Sequence, residues 1–290
     1  MRLRTLLGDY PVTRALKAGA VRSPRLEFDY ADVKVPNTAF KRVVRDLEFD
    51  LAELALVTFL MARAYGKPLA LLPAVLFGRF QHPYLVCNAA IRAFSPKDLE
   101  GRRVGIRSCS VTTVAWIRGI LADDYGVDLG RVKWVSFEDS HLAEYRDPPG
   151  VERAHEGKTP LGMLLAGELD AAVLAEPLPK DDRLKSVLPD PAAAAQDWQR
   201  RNGALQINHM VVVKEPLDPG IVREVFDLLL RSKKISEENA KNPIDTSPFG
   251  LEANRRNLEV AIDYVHRQGL IPRRYEVDEL FGDVTRALGA

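Results

Sequence analysis

Two short stretches, "EFDLAEL" (residues 48–54) and "GELDAAVLAEP" (residues 167–177), share one grammar. Each places Glu, an apolar residue and Asp directly before a short apolar run, and each follows a segment of helical periodicity. Ahead of the first, Phe40, Val43, Val44 and Leu47 recur at i, i+3, i+4 and i+7, the pattern of one buried helix face, with Asn37 placed to cap it. Ahead of the second, Thr159 is a helix N-cap with Pro160 at the first helical position, and Leu161, Leu164 and Leu165 line a face. The repeated order of helix, acidic pair and buried strand predicts two α/β lobes built alike.

Further strands are predicted at 69–73, 84–88, 102–107, 132–137 and 206–216. Their alternation with helices argues for parallel sheets. After residue 216 the chain reads as helical, including 221–231 and the face of Leu258, Ile262 and Val265. Pro and Gly cluster at 147–160 and 188–204, the latter reading as a loop with a partial helix. The division that follows is a discontinuous lobe of residues 1–85 plus 208–290 and an inserted lobe of residues 86–207. Two crossings of the chain over a central ligand cleft are expected.

Forty-one basic residues against forty acidic ones leave a net charge of +1, so no global field favours nucleic acid or anionic lipid. No basic-aromatic stripe, phosphate-binding glycine loop or GxSxG turn is present. The two cysteines, Cys87 and Cys109, match no zinc or redox spacing and point to a reducing compartment, although Cys109 before a helix leaves a reactive thiolate open. No window provides the roughly 18 apolar residues of a membrane span. The N-terminus lacks a secretory pattern, and a cytoplasmic location is expected.

Several stretches together resemble the 4,5-dihydroxyphthalate decarboxylase family. They are "GDY" (8–10) with Arg14, "EFDLAELAL" (48–56), "GRFQHPYLVCN" (78–88), "DLEGRRVGI" (98–106), "TTVAWIRGIL" (112–121), "INHMVVVK" (207–214) and "QGLIPRRYEVDELF" (268–281). The resemblance implies the two-lobed α/β fold of the type II periplasmic binding proteins. It also implies loss of one carboxylate from an ortho-dihydroxy phthalate. Solute-binding proteins of transporters and thiamine-pyrimidine biosynthetic proteins share that fold, so fold alone does not fix function. The chain departs from the family at "VSFEDSHLAEYRDPPG" (135–150) and carries Glu176 where a basic or neutral lining is expected.

Polar residues after a first strand, as in "LLGDYPVTRAL" (6–16), sit where open α/β sheets place ligands. An aromatic acid calls for guanidinium groups, whose planar fork matches a carboxylate, and Arg14 and Arg79 are the candidates. Arg118 lies inside a helix, where a structural ion pair and a ligand contact are both open. Ser108, Ser110, Thr112 and Thr113 stand at a strand-to-helix junction that suits an anion, with helix capping as the other reading. Tyr10 offers a ring for stacking and Glu53 a partner for a substrate hydroxyl. Decarboxylation without a cofactor needs an acid and a base, for which His82 and His209 are the candidates, with Asp9 to orient a histidine or accept a phenolic proton. The acidic and histidine residues between Glu138 and Glu156 match no metal-ligand spacing, and no metal is assigned.

The resulting expectation is a cofactor-independent decarboxylase of a hydroxylated aromatic acid, taking a small aromatic carboxylate and neither nucleic acid nor membrane as partner. A solute-binding protein that captures such an acid without chemistry is the alternative. Residues 268–281 are expected to pack on the first lobe or to border a homodimer interface.

Overall fold

The computed structural model describes residues 1–175, 177–238 and 245–289; Glu176 lies outside them. The chain divides into one unit of Met1–Arg79 with Ile207–Ala290 and a second of Phe80–Gln206.

The first unit contains β1 (Arg2–Leu6), β2 (Glu27–Tyr30), β3 (Leu51–Ala55), β4 (Leu69–Gly78) and the late strand β11 (Ile207–Lys214), in the spatial order β2-β1-β3-β11-β4. β1 runs parallel to β2 and β3, whereas β11 is antiparallel to both β3 and β4. The sheet is therefore mixed rather than parallel, because the returning chain fills the gap between two strands laid down earlier. Pro73 is tolerated within β4 because that strand is the sheet edge. Helices α1 (Pro11–Lys17) and α6 (Pro219–Glu238) cover this sheet, and Leu16, Val225, Phe226 and Leu229 pack with Leu3, Leu51, Leu72 and Val211 in one core. α2 (Leu56–Ala64), α7 (Leu251–Arg267) and the short α8 (Asp283–Arg286) complete the unit.

Residues 36–47 are not one α-helix. A 3-10 turn at Pro36–Ala39 leads into a π-helical turn at Arg42–Asp46, and Leu47 closes it in the left-handed region at φ 50°. Pro36 starts the turn one residue ahead of Asn37, which lies inside it and does not cap it. Phe40, Val43 and Val44 are nevertheless buried, as the apolar spacing requires.

The second unit contains β5 (Leu85–Asn88), β6 (Arg103–Ile106), β7 (Lys133–Ser136), β8 (Glu152–Arg153), β9 (Ala171–Val173) and β10 (Leu184–Ser186), ordered β10-β5-β9-β6-β7-β8. This sheet is also mixed, with β5 antiparallel to β9 and β10. Its helices are α3 (Thr112–Tyr125), α4 (Pro160–Leu165) and α5 (Pro191–Asn202). Thr159 caps α4 by accepting from the Gly162 amide. The Pro- and Ala-rich stretch read as a loop is largely α5, capped by the Asp190 side chain.

The shared grammar of the two stretches has a physical cause. At the head of β3, Asp50 accepts the Arg4 amide on its carboxylate at 2.9 Å and returns its own amide to the Arg4 carbonyl. At the head of β9, Asp170 does the same to Arg103, also at 2.9 Å. Each aspartate thus extends the ladder by one bond onto the neighbouring parallel strand, satisfying an amide at the strand entrance. The aspartate of each stretch is explained by strand pairing.

Candidate functional site

In the first unit, β1, β3 and β4 end at one edge of the sheet, where antiparallel β11 begins. Open α/β sheets bind ligands at such carboxyl ends. In the β3/β11 ladder His209 lies opposite Ala55 and Val211 opposite Glu53. Side chains two residues apart share a face, so Glu53 and His209 are diagonal neighbours on the same side. The β4/β11 register pairs His209 with Phe77 and shifts repeatedly between Ile207 and Val212. Irregularities of this kind re-aim side chains next to functional sites.

Glu53 is completely buried. Its Oε1 accepts from the Tyr10 hydroxyl at 2.8 Å and lies 2.9 Å from His209 Nδ1, while Oε2 accepts the Gly8 amide. A buried carboxylate without such donors would be costly; here both oxygens are occupied. With Nδ1 facing the carboxylate, Nε2 is the ring nitrogen turned away from Glu53. His209 keeps 14% of its side chain exposed, so the pair is open on the imidazole side and sealed on the glutamate side. Burial first, and then the charge of Glu53, push the Tyr10 phenol far above its ordinary range, which keeps its hydroxyl a donor.

Aromatic rings complete the surface. Phe77 stacks on Tyr10 with centroids 5.7 Å apart and planes 11° from parallel, and Phe40 and Phe77 both meet the His209 ring edge-on. The half-buried Arg79 holds its guanidinium over the Phe77 ring at 5.2 Å. Thr13 fixes the turn after β1, donating to the Gly8 carbonyl at 2.7 Å and accepting the Tyr10 amide at 2.9 Å. Gly8 must lack a side chain, because a Cβ there would lie 2.6 Å from the Tyr10 ring and 2.8 Å from Glu53 Oε2.

Tyr10, Glu53, His209 and Arg79 are thus brought to one edge of the first unit. Asp9 is not the carboxylate that meets a histidine. It is exposed and paired with exposed Arg14 at 3.2 Å, while Glu53 holds His209. The sequence marks Phe40 only as part of a buried helix face and Gly8 only within "GDY", and it does not single out Phe77 or Thr13. Phe77 carried a usable signal, since it occupies the apolar end of a strand that leads into Arg79.

The remaining candidates lie in the second unit. His82 is fully buried against Phe80 and Trp198, neither ring nitrogen has a hydrogen-bond partner, and burial lowers its pKa to about 4. It is a neutral imidazole at neutral pH. Ser108, Ser110 and Ser140 form a buried hydroxyl chain with 3.0 Å steps after β6. Thr112 and Thr113 open α3, but its N-cap is Val111 and no side chain caps it. Cys109 is free and fully buried, and burial lifts its thiol to about 11, so it is not a reactive thiolate. Three acidic residues of the divergent segment are held by arginines, Glu138 by Arg107 and both Asp139 and Asp147 by Arg153. Among the described residues no three His, Cys, Asp or Glu side chains gather as a metal would need, and no helix is long and apolar enough to cross a membrane.

Two α/β units of this topology define the type II periplasmic-binding-protein-like class, and solved structures agree. The periplasmic aliphatic sulphonate binding protein SsuA from Escherichia coli matches with a TM-score of 0.59 and 12% identity over 97% of this chain and 96% of its own. The alkanesulfonate-binding protein SsuA from Xanthomonas axonopodis pv. citri, bound to MOPS, gives 0.57 and 14% over 97% and 98%. No family model matches the sequence. Over nearly its full length the chain is similar to the 4,5-dihydroxyphthalate decarboxylase family. The Comamonas testosteroni enzyme of that name is 26% identical over 97% of this chain and 96% of the relative, and that of Pseudomonas putida is 29% identical over 69% and 82%.

Proposed function

We propose that the protein is a cofactor-independent decarboxylase of a hydroxylated aromatic acid, of the class for which its relatives are named. The observation that carries this reading is the His209–Glu53–Tyr10 cluster: an imidazole oriented by a buried carboxylate, with its second nitrogen free beside stacked aromatic rings.

In this proposal His209 Nε2 takes the proton of the hydroxyl para to the departing carboxylate, and Glu53 stabilises the imidazolium that forms. Electron density then reaches the ring carbon bearing the carboxylate, which accepts a proton drawn from solvent and becomes tetrahedral. The bond to the carboxylate breaks, carbon dioxide leaves with no charge, and the bonding pair restores the aromatic ring. His209 returns its proton to the phenolate oxygen. Tyr10 and Phe77 supply stacking area for the ring, and Arg79 pairs with a carboxylate. Arg14 and Asp9 stand as exposed residues at the border of this surface. The second unit, taken by itself, offers Ser108, Ser110, Thr112 and Thr113 as proposed contacts for an anionic group. His82 is sealed and neutral, so we assign the proton traffic to His209 alone.

The test is incubation of the purified protein with 4,5-dihydroxyphthalate, without added metal, with formation of 3,4-dihydroxybenzoate followed by chromatography. Product with one deuterium on the ring when the reaction runs in D2O is expected. The fold likeness to SsuA favours capture without chemistry as the second reading, and tight binding without product would establish that one instead.

A further inference from the structure

Arg118 sits in the second turn of α3 and is 92% buried, with 8% of its surface open. The sequence left an ion pair open for it, but among the described residues no carboxylate pairs with its guanidinium, and Nε and Nη1 have no hydrogen-bond acceptor. The groups that act on it electrostatically are the Cys109 thiol, whose own ionisation burial opposes, and the Tyr145 phenol. Its guanidinium carbon stands over the indole of Trp134 at 5.3 Å. A cation over an indole recovers part of the lost hydration. It cannot satisfy the five N–H donors of an arginine, and a buried charge without a counter-charge is strongly unfavourable.

One carboxylate is already close by: Asp147 accepts from the Cys109 thiol and is itself paired with Arg153. Cys109 lies in the loop that enters α3, so the guanidinium reaches back toward the positive end of a fourteen-residue helix. On either side of Cys109 in sequence, Ser108 and Ser110 contribute buried hydroxyls that continue to Ser140. An unpaired buried guanidinium, a helix N-terminus and a buried hydroxyl chain are thus carried by one stretch of the second unit, residues 108–118 with Ser140.

We propose that the second unit holds a small oxyanion site centred on Arg118, with a carboxylate as the planar match to the guanidinium fork. The site is built from Phe80–Gln206 alone and does not depend on the decarboxylase reading, because binding is read without turnover.

The experiment compares thermal unfolding of the full chain and of Arg118→Met in chloride buffer, with acetate or sulfate replacing chloride at constant ionic strength. Methionine keeps an apolar stem over Trp134 and removes the charge. Expected are a rise in the wild-type Tm with acetate or sulfate, a response weakened about tenfold or more in Arg118→Met, and a variant at least as stable as wild type in chloride. A response to acetate alone narrows the ligand to carboxylates, and a response to both marks a general oxyanion site. Three results would overturn the proposal: no wild-type response beyond chloride, an undiminished response in Arg118→Met, or a variant that fails to fold in chloride. The last would mean that the protein itself already satisfies the guanidinium.

Discussion

Replacing Glu53 by Gln tests whether the buried carboxylate powers His209 or only fills space. The substitution keeps the shape and removes the charge. In the wild type, Oε1 serves both the Tyr10 hydroxyl at 2.8 Å and His209 Nδ1 at 2.9 Å, and Oε2 takes the Gly8 amide. A glutamine has one acceptor oxygen and one donor nitrogen, so at least one of the three donors meets an N–H. The Tyr10 hydroxyl can rotate to accept, but the Gly8 amide cannot. A hydrogen bond to a charged group contributes about 1.5–3 kcal/mol, which corresponds to a loss of roughly 10- to 150-fold in kcat. Steady-state assays of product formation at neutral pH measure that loss. Wild-type kcat in the variant would refute the role given to Glu53.

Gly8→Ala forces a Cβ into the Tyr10 ring and Glu53 Oε2; urea unfolding should report a loss of about 1–3 kcal/mol, together with reduced turnover, and a neutral result would mean that the turn yields freely. Arg79→Ala should weaken binding of the aromatic acid by about 1.5–3 kcal/mol in calorimetry, and an unchanged Kd removes Arg79 from the site. His82, at about 4 in the folded protein against 6.5 ordinarily, binds its proton less readily when folded. Its contribution is therefore fully present above pH 6.5 and is lost as pH falls toward 4, by up to about 3 kcal/mol; His82→Phe should flatten that slope, and an unaltered slope would assign it to other groups.

The fold was legible where its causes are local. Thr159 and Pro160 announce a helix start, and Asp50 and Asp170 announce strand entrances, because each acts within a few residues or on one neighbouring strand. The mixed character of the sheets was not legible. It depends on β11 arriving from beyond the inserted unit to lie between β3 and β4, and nothing in "INHMVVVK" marks the direction of its partners. The π-helical turn at Arg42–Asp46 escaped for a related reason. Apolar spacing fixes which side chains are buried and leaves the winding between them free.

The candidate site shows the same division, and it explains why Asp9 was given the place that Glu53 holds. Asp9 and Glu53 both follow apolar strand residues, but Asp9 lies beyond the end of β1 with its side chain in solvent, whereas Glu53 lies within β3 and points to the same face as His209. That meeting spans 156 positions and is set by register alone. A slip of one residue in β11 would turn His209 away and present Asn208 or Met210 to Glu53. Neither exchanges a proton near neutral pH. The chain leaves the first unit at Arg79, two residues after Phe77, and returns at Ile207, two residues before His209, with register shifts at the return. The regular β3/β11 ladder therefore keeps the imidazole on the side of the carboxylate, the irregular pairing with β4 brings Phe77 against it, and the chemistry proposed for the protein rests on that register.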